Sequence, residues 1–485
     1  METSNPLIRS WDHVTSRRGL MAGGVAAALG QLPTVQAQDG AGDPPSNPLA
    51  DPRTRLAHLL RRAGFGASKP ELDGFAALGY EATAGYLLDY ESAPDPIQER
   101  LDAFDFDPDD REQLRRWWMI RMVHSTRPLQ EKMTLFWHGL LTSGFSKVNS
   151  AGLLRRQNEF FRSNALGNFR DIMRGISKDA AMLIWLDGRG SRKQHPNENY
   201  ARELMELFTM GEGNYTEQDV QQAARAFTGW RVSQEGEVSF SRTAFDGGTK
   251  SFLGRTGRFT ADAIVDIILE QPATAAYLSR RLFSFFAFRN PPPATVEALS
   301  AIYFGSGYDI KAMVRAILLS DEFSSTAAYR SLVRSPVDLV VGAHRVWGLE
   351  TDGQYPAGGA RAMGQDIFNP PNVAGWPGGP SWLNSASWMY RANFVNGLVI
   401  RRKGPPATII DLANVVGSNG LNGPEQFKAF VTQLLLDGNL DPEADGLVSE
   451  YLLGAQPLTM DQRSLDRKGR ALVYFLMASP EYQLM

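Results

Sequence analysis

The chain contains the stretch His195-Pro196-Asn197-Glu198-Asn199-Tyr200-Ala201-Arg202-Glu203-Leu204-Met205-Glu206-Leu207-Phe208, whose apolar and polar residues recur with the period of an amphipathic helix. With about 3.6 residues per turn, the polar side holds Asn199, Arg202, Glu203 and Glu206, with Glu198 at its margin. The apolar side holds Tyr200, Ala201, Leu204, Leu207 and Phe208 and must contact a core. The stretch therefore predicts a helix over 197–210.

The same helical period recurs along most of the chain. It predicts helices over 110–124, 128–141, 168–177, 217–228, 262–270, 273–288, 310–320, 335–347, 424–437 and 462–478. Short β-like runs separated by glycine turns predict a small hairpin or β-flap at about 230–259, and residues 352–388 are expected to be irregular. We expect a mainly α fold, with a large multi-helical body at 51–400, Trp/Gly/Pro-rich loops, and a C-terminal helical segment at 401–485 packed on it.

Composition excludes several classes of protein and of site. The 485 residues carry a net charge of −3, which argues against a nucleic-acid-binding protein. There is no cysteine, so disulfides, thiolate metal sites and cysteine nucleophiles are excluded. The sequence lacks a Gly-x-Ser-x-Gly elbow, a His-Glu-x-x-His motif and a dinucleotide-binding Gly-x-Gly-x-x-Gly, so it indicates no particular cofactor or metal.

The N-terminus has the order of features of an export signal. Ser16-Arg17-Arg18-Gly19-Leu20-Met21 is a twin-arginine pattern, an apolar stretch follows, and Val35-Gln36-Ala37 suits signal peptidase. We expect residues 1–37 to be a twin-arginine signal peptide and 38–50 a disordered leader. The protein is then expected in the periplasm or outside the cell, with no integral membrane segment in the mature chain.

The charged side of the 197–210 helix has two interpretations. Four-residue spacings from Glu198 to Arg202 and from Arg202 to Glu206 suit a salt-bridged surface. If the side is buried instead, Arg202 could hold some carboxylates ionised, and burial could raise the pKa of Glu203 or Glu206 for acid/base catalysis. The two carboxylates could also bind a hard cation. His138, on the predicted 128–141 helix, is the candidate assisting base, and a metal ligand or a hydrogen-bonded packing residue are its alternative roles.

Further residues are candidates for substrate binding. The helix start contributes Asn197, Glu198 and Asn199. Asp246 and Lys250 flank the pair Gly247-Gly248, where an anion cradle is possible in principle and a hairpin turn is the favoured interpretation. Aromatic side chains with flat faces suit sugar rings, although they can equally cover the helical body. The aromatic candidates and their basic neighbour are Trp230, Trp376, Trp382 and Arg391.

Five segments together resemble one family of secreted bacterial proteins, catalogued as domain of unknown function 1800. They are Leu59-Leu60-Arg61-Arg62-Ala63-Gly64-Phe65-Gly66, Glu131 to Gly139, Pro196 to Glu203, Thr228-Gly229-Trp230, and Pro370 to Pro377. The resemblance covers about 54–400 or beyond and implies no established reaction. It does imply pairing with a second exported protein related to phosphatases and sulfatases. The family often has a histidine before Asp246, where this chain has Phe245, which weakens any metal site using it.

Three functions therefore stay open. The first is an exported enzyme, of the hydrolase class, that acts on an extracytoplasmic polymer such as a glycan (a polysaccharide) through Glu203, Glu206, Arg202 and His138. The second is a non-catalytic binding or assembly partner of an exported phosphatase- or sulfatase-like protein. The third is a metal-dependent enzyme whose metal the sequence does not identify.

Overall fold

The computed structural model describes residues 47–104, 106–107, 109–399, 409–454 and 456–485. The predicted signal peptide at 1–37 and most of the predicted leader lie outside the described residues. The described chain is mainly α-helical with two small antiparallel hairpins, which confirms the predicted fold class.

The N-terminal part consists of helices joined by short turns. Asp51 caps the first helix by accepting from the amide of Thr54, and the helix ends where Phe65 adopts a left-handed conformation (φ 68°). Ser68 and Glu71 form a capping box at the start of the second helix. The helices are α1 (Pro52–Gly64), α2 (Lys69–Leu78), α3 (Tyr80–Leu88), α4 (Ile97–Asp102), α5 (Arg111–His124), α6 (Pro128–Leu140), α7 (Phe145–Val148), α8 (Ala151–Ser163), α9 (Phe169–Ile176) and α10 (Ala180–Trp185).

The predicted 197–210 helix forms as an α-helix that widens into a π-helical turn. Helix α11 (Glu198–Glu203) continues as a π-helix over Leu204–Thr209, where the amide of Met210 donates to the carbonyl of Met205, 2.8 Å away. Helix α12 (Glu217–Ala226) follows, with Thr216 and Asp219 forming its capping box.

The predicted flap is two separate hairpins. Strand β1 (Trp230–Val232) pairs with β2 (Val238–Phe240), and β3 (Lys250–Phe252) pairs with β4 (Arg255–Gly257). The tight turn of the second hairpin is at Leu253–Gly254, both with positive φ. The expectation of a hairpin turn at Gly247-Gly248 was therefore wrong, because these glycines lie in the connection between the two hairpins.

The remainder is again helical. It comprises α13 (Ala261–Leu269), α14 (Pro272–Phe286), α15 (Pro293–Gly305), α16 (Ile310–Leu318), α17 (Pro336–Trp347), α18 (Gln354–Ala362), α19 (Ser385–Val399), α20 (Leu412–Ser418), α21 (Pro424–Leu436), α22 (Pro442–Leu453), α23 (Gln462–Ser464, extended by a π-helix over Leu465–Gly469) and α24 (Arg470–Ala478). The expectation that 352–388 is irregular was wrong for α18, whose Gly358-Gly359 pair hides its helical period.

Helix α6 is enclosed by the rest of the body. Its Trp137 is fully buried, and so are two charged side chains that find partners on other helices. Glu131 binds Arg162 of α8 and accepts from the indole Nε1 of Trp118, while Lys132 pairs with Asp338 of α17. Buried charges need such partners, so these pairs fix how α5, α8 and α17 surround α6.

The C-terminal helices contact the body through specific bonds. Asp437, at the end of α21, binds Arg61 of α1 at 2.7 Å, and the amide of Arg334 donates to the carbonyl of Gln483, 2.8 Å away. Within the described residues, every helix falls short of the length and hydrophobicity that a membrane span requires.

Candidate functional site

Arg202 of α11 lies on a partly exposed face. Its guanidinium makes two hydrogen bonds of 2.7 Å to the carboxylate of Glu217, and Glu198 stands 3.6 Å away. The Arg202 side chain is 34% exposed. This arrangement is the salt-bridged surface, which is one of the two interpretations that the sequence allowed. The buried carboxylate cluster expected around Arg202 is not formed, because the start of α12 supplies its acidic partner from the solvent side.

Glu203 and Glu206 are half-buried at the α-to-π junction. Burial raises the pKa of Glu203, and the neighbouring charge of Glu206 raises it further. The hydroxyl of Tyr215 donates to Glu206 at 3.0 Å. In the described part of the chain, no three histidine, aspartate or glutamate side chains stand together in a way that could hold a metal ion. The acid/base roles of both residues stay predictions.

His138 lies in the core and does not join these carboxylates. It is 2% exposed, and its Nε2 is 2.9 Å from the amide Nδ2 of Asn158. The rings of Trp118, Phe161 and Phe368 surround it at 4.7–5.3 Å between centroids. Burial lowers the pKa of His138 to about 3, so the imidazole is uncharged at neutral pH. None of its described contacts is with Arg202 or the two glutamates, and the structure supports a packing role.

Asn197 and Gly229, each from a segment that carries the family resemblance, hold one loop, residues 187–191. The side chain of Asn197 caps α11 by accepting from the amide of Asn199, and its Nδ2 donates to the carbonyl of Asp187 at 3.0 Å. The amide of Gly229 donates to the carbonyl of Ser191 at 3.1 Å. Segments that carry the family resemblance thus converge on the backbone of this loop.

The loop walls a polar cleft of about 420 Å³. Its other walls come from the turn before α8 and from the tip of the β1–β2 hairpin. The polar cleft is lined by Lys147, Asn149, Ser150, Arg189 and 233–236 around an apolar floor of Val148, Leu153 and Ile184. Lys147 pairs with Asp187 at 2.7 Å. The guanidinium of Arg189 has no described partner, so it is available to an anionic group.

A buried polar cluster lies beside this region. Gln157, one turn beyond Leu153 on α8, donates to Asp179 at 2.6 Å and to Ser143 at 3.1 Å. Burial raises the pKa of Asp179 to about 6. The Gln157 Oε1 and the Trp185 Nε1 are buried without a partner among the described residues. An ordered water would satisfy such atoms.

Asp246 and Lys250 stabilise the segment that connects the two hairpins. Asp246 makes two hydrogen bonds to Arg225, at 2.7 and 3.2 Å, and this pairing lowers its pKa. The buried Lys250 donates to the carbonyls of Asp246 and Gly248. Because the ammonium of Lys250 already donates to carbonyls of its own loop, it is not free to bind an anion. The structure therefore does not support an anion cradle at Gly247-Gly248.

None of the aromatic candidates Trp230, Trp376 and Trp382 lines the polar cleft. Trp230 packs on Phe240 with 5.0 Å between ring centroids, Trp376 is half-buried, and Trp382 is buried. Arg391 is 1% exposed and donates to the side chain of Gln483 and to the carbonyl of Arg334. Arg391 therefore could not bind substrate at the surface; it joins α19 to the C-terminal residues.

Sequence reasoning missed the residues that line the polar cleft. A signal was present in Gly188-Arg189-Gly190-Ser191-Arg192-Lys193, a basic loop too rich in glycine for a helix. Its neighbours Lys147 and 233–236 are about forty residues away on either side, and only the fold brings them together.

The fold and the cleft define a mainly α protein with a polar surface site and, in the described residues, no metal cluster. The family described as "Protein of unknown function (DUF1800)" matches residues 58–484, and the chain belongs to it. Neither the curated proteins nor the solved structures contain a match to this chain.

Proposed function

We propose that the protein is exported by the twin-arginine route and binds an anionic glycan in the polar cleft outside the cytoplasm. The observation that carries this proposal is the polar cleft itself, whose walls come from three separate segments and supply amide, hydroxyl and cationic groups. Polyhydroxylated ligands use such donors and acceptors, and clefts of about 300–1,000 Å³ are typical of small-ligand sites.

The charges of the cleft favour an anionic form of the glycan. Arg189 has no described partner, and Lys147, whose ammonium forms an exposed pair with Asp187, can share a second anionic group from the neighbouring wall. Glu235 is the carboxylate among the lining residues. A glycan with spaced carboxylate or sulfate groups can pair with the cations and avoid this one acid.

Binding is a better proposal than hydrolysis. Glu203 and Glu206 do not line the polar cleft, and His138 is enclosed in the core. An acid/base pair must reach the bond that it cleaves, so these groups would need a separate substrate path. Hydrolysis nevertheless stays a prediction that reducing-sugar release from the same glycan measures directly.

The binding experiment compares polygalacturonate with uncharged dextran by isothermal titration calorimetry. We expect polygalacturonate to bind more tightly than dextran, and Arg189→Ala to weaken it about tenfold, which corresponds to about 1.4 kcal/mol. Arg242→Ala is the matched control, because Arg242 is exposed two residues after β2 and does not line the cleft. Equal losses in both variants, or no binding of either polymer, would contradict the proposal.

Export has its own test. Replacing Arg17 and Arg18 by lysine keeps the charge and removes the twin-arginine pattern. We expect the variant to remain in the cytoplasm while the unchanged protein appears in the periplasmic or secreted fraction. Equal distribution of the two proteins would remove the export proposal without affecting glycan binding.

A second candidate function is assembly with the phosphatase- or sulfatase-like protein that the family resemblance implies. The observation in its favour is an exposed apolar patch formed by Leu447 and Tyr451 of α22 with Phe475 of α24. We expect a phosphatase-like protein to co-elute in equal amounts with the unchanged chain and to be lost with Phe475→Lys. Phe304→Lys, at another exposed phenylalanine, is the control; loss in both variants or in neither contradicts this candidate.

A further inference from the structure

Two neighbouring cavities near the N-terminal helices share part of their lining. One has a volume of about 450 Å³ and the other about 210 Å³, and Glu71, Thr126 and Arg345 line both. Neither shares a lining residue with the polar cleft. The pair therefore forms a second site with two limbs that differ in chemistry.

The larger limb is apolar. Helix α2 provides Pro70, Phe75 and Leu78, and Leu60 and Pro128 close the opposite side. Gly74 also lines it, and a side chain at that position would meet nothing within 4 Å. The limb is thus open along the exposed side of α2, with room for a chain or ring system of ordinary ligand size.

The smaller limb holds two histidines with unfilled hydrogen-bonding capacity. The Nε2 atoms of His124 and His344 are buried without a partner among the described residues. The Nδ1 of His344 lies against the carbonyl of Val340 and must donate to it, which leaves Nε2 as an acceptor. Burial lowers the pKa of each histidine to about 4, so both imidazoles are uncharged near pH 7.

The charged groups around these limbs already have hydrogen-bond or ion-pair partners within the protein. Arg345 donates to the carbonyls of Gly66, Val123 and Ser125, and to Glu71 at 3.3 Å. Glu350, on the rim, pairs with Arg100 and stands 3.9 Å from His124. Asp73, which lines the larger limb, pairs with Arg53 and Lys69. No cation is left for an anionic ligand, and the three lining carboxylates, Glu71, Asp73 and Glu350, disfavour one.

We propose that the two limbs together bind an amphiphile, with an apolar body against α2 and an uncharged, hydrogen-bond-donating head, such as a hydroxyl or amide N–H, on His124 and His344. The apolar limb supplies the free energy of burial, and the Nε2 acceptor of His344, with the unpartnered Nε2 of His124 beside it, selects the head. This site is independent of glycan binding in the polar cleft.

The test uses N-phenyl-1-naphthylamine, an uncharged probe with an apolar body and one N–H, whose fluorescence rises in apolar surroundings. We expect saturable binding by the full protein and at least a tenfold weakening by Gly74→Phe, which fills the apolar limb. Gly85→Phe on α3 is the control, because a side chain there also meets nothing within 4 Å and Gly85 does not line the limb. Ala77→Trp, at an exposed lining position, repeats the block with a second variant.

Competition identifies the head group. We expect 1-decanol to displace the probe about fivefold more effectively than decyl methyl ether, which lacks a donor, and decanoate to be the weakest competitor. His124→Phe should bring 1-decanol and the ether within twofold of each other while the probe still binds. Unsaturable fluorescence, equal effects of Gly74→Phe and Gly85→Phe, or equal competition by alcohol and ether with the unchanged protein would overturn the proposal.

Discussion

Asn197 joins α11 to the wall of the polar cleft, because its Nδ2 donates to the carbonyl of Asp187 at 3.0 Å while its Oδ1 caps the helix. Asn168 has the same two roles elsewhere: it caps α9, and its Nδ2 donates to the carbonyl of Gly307 at 2.7 Å. The two asparagines therefore allow the loop-holding bond to be tested apart from the cap.

We expect Asn197→Asp to keep the cap and lose the bond to the loop, since a carboxylate cannot donate to the Asp187 carbonyl. The measurement is hydrogen exchange of the amides in 187–191, which should become faster, together with weaker polygalacturonate binding. Asn168→Asp should destabilise the protein by a similar amount, about 1–2 kcal/mol, and leave that loop and binding unchanged. Equal exchange in the loop for the two variants would show that the bond does not hold it.

The buried pair of Lys132 and Asp338 should contribute far more to stability than an exposed pair. These side chains are 0% and 9% exposed, so removing the lysine leaves a buried carboxylate without its main partner. We expect Lys132→Met to lower the free energy of unfolding by about 3–5 kcal/mol, read as a fall in Tm. Lys69→Met, in the exposed pair with Asp73, should cost well under about 1 kcal/mol. A Tm loss that is no larger for Lys132→Met than for Lys69→Met would contradict this assignment.

Asp179 should make the stability depend on pH. Burial raises its pKa from 3.8 to about 6, so the folded protein holds this proton more tightly than the unfolded chain does. The folding stability that it contributes is present below pH 3.8 and falls as the pH rises through 6, by about 3 kcal/mol at most. Asp179→Asn keeps the cap on α10 without ionising.

We therefore expect the Tm of Asp179→Asn, relative to the unchanged protein, to rise between pH 4.5 and pH 7.5. The comparison of the two proteins at each pH cancels the other titrating groups that they share. A constant Tm difference over this range would mean that the folded carboxyl does not hold its proton more tightly than the unfolded one.

Local periodicity predicted much of the fold because most helices bury one face. The prediction of 335–347 matches α17 (Pro336–Trp347), and that of 128–141 matches α6 (Pro128–Leu140), within a residue at each end. Helix α18 was missed because Gly358-Gly359 and Pro356 are poor helix formers, and packing on α17 outweighs their propensity.

The site was less predictable than the fold. The sequence placed Glu198, Arg202 and Glu206 on one side of a helix, but whether that side meets solvent depends on α12, which supplies Glu217. His138 was a candidate base because its own helix leaves it off the apolar stripe, yet α5, α8 and Phe368 enclose it. Burial of this kind is decided by contacts between distant segments, which spacing within one helix does not contain.

Gly375 should be essential to the contact between the end of α6 and the Pro370–Pro377 segment. Its φ is 84°, and a Cβ atom there would lie 2.5 Å from the carbonyl oxygen of Gly139. Gly378 has a φ of 68° and would place its Cβ in open space. We expect Gly378→Ala to cost about 1–2 kcal/mol from backbone strain alone, and Gly375→Ala to cost that amount plus the displacement of Gly139. Differential scanning fluorimetry should give a clearly larger fall in Tm for Gly375→Ala, and equal falls would show that the two segments do not need this close approach.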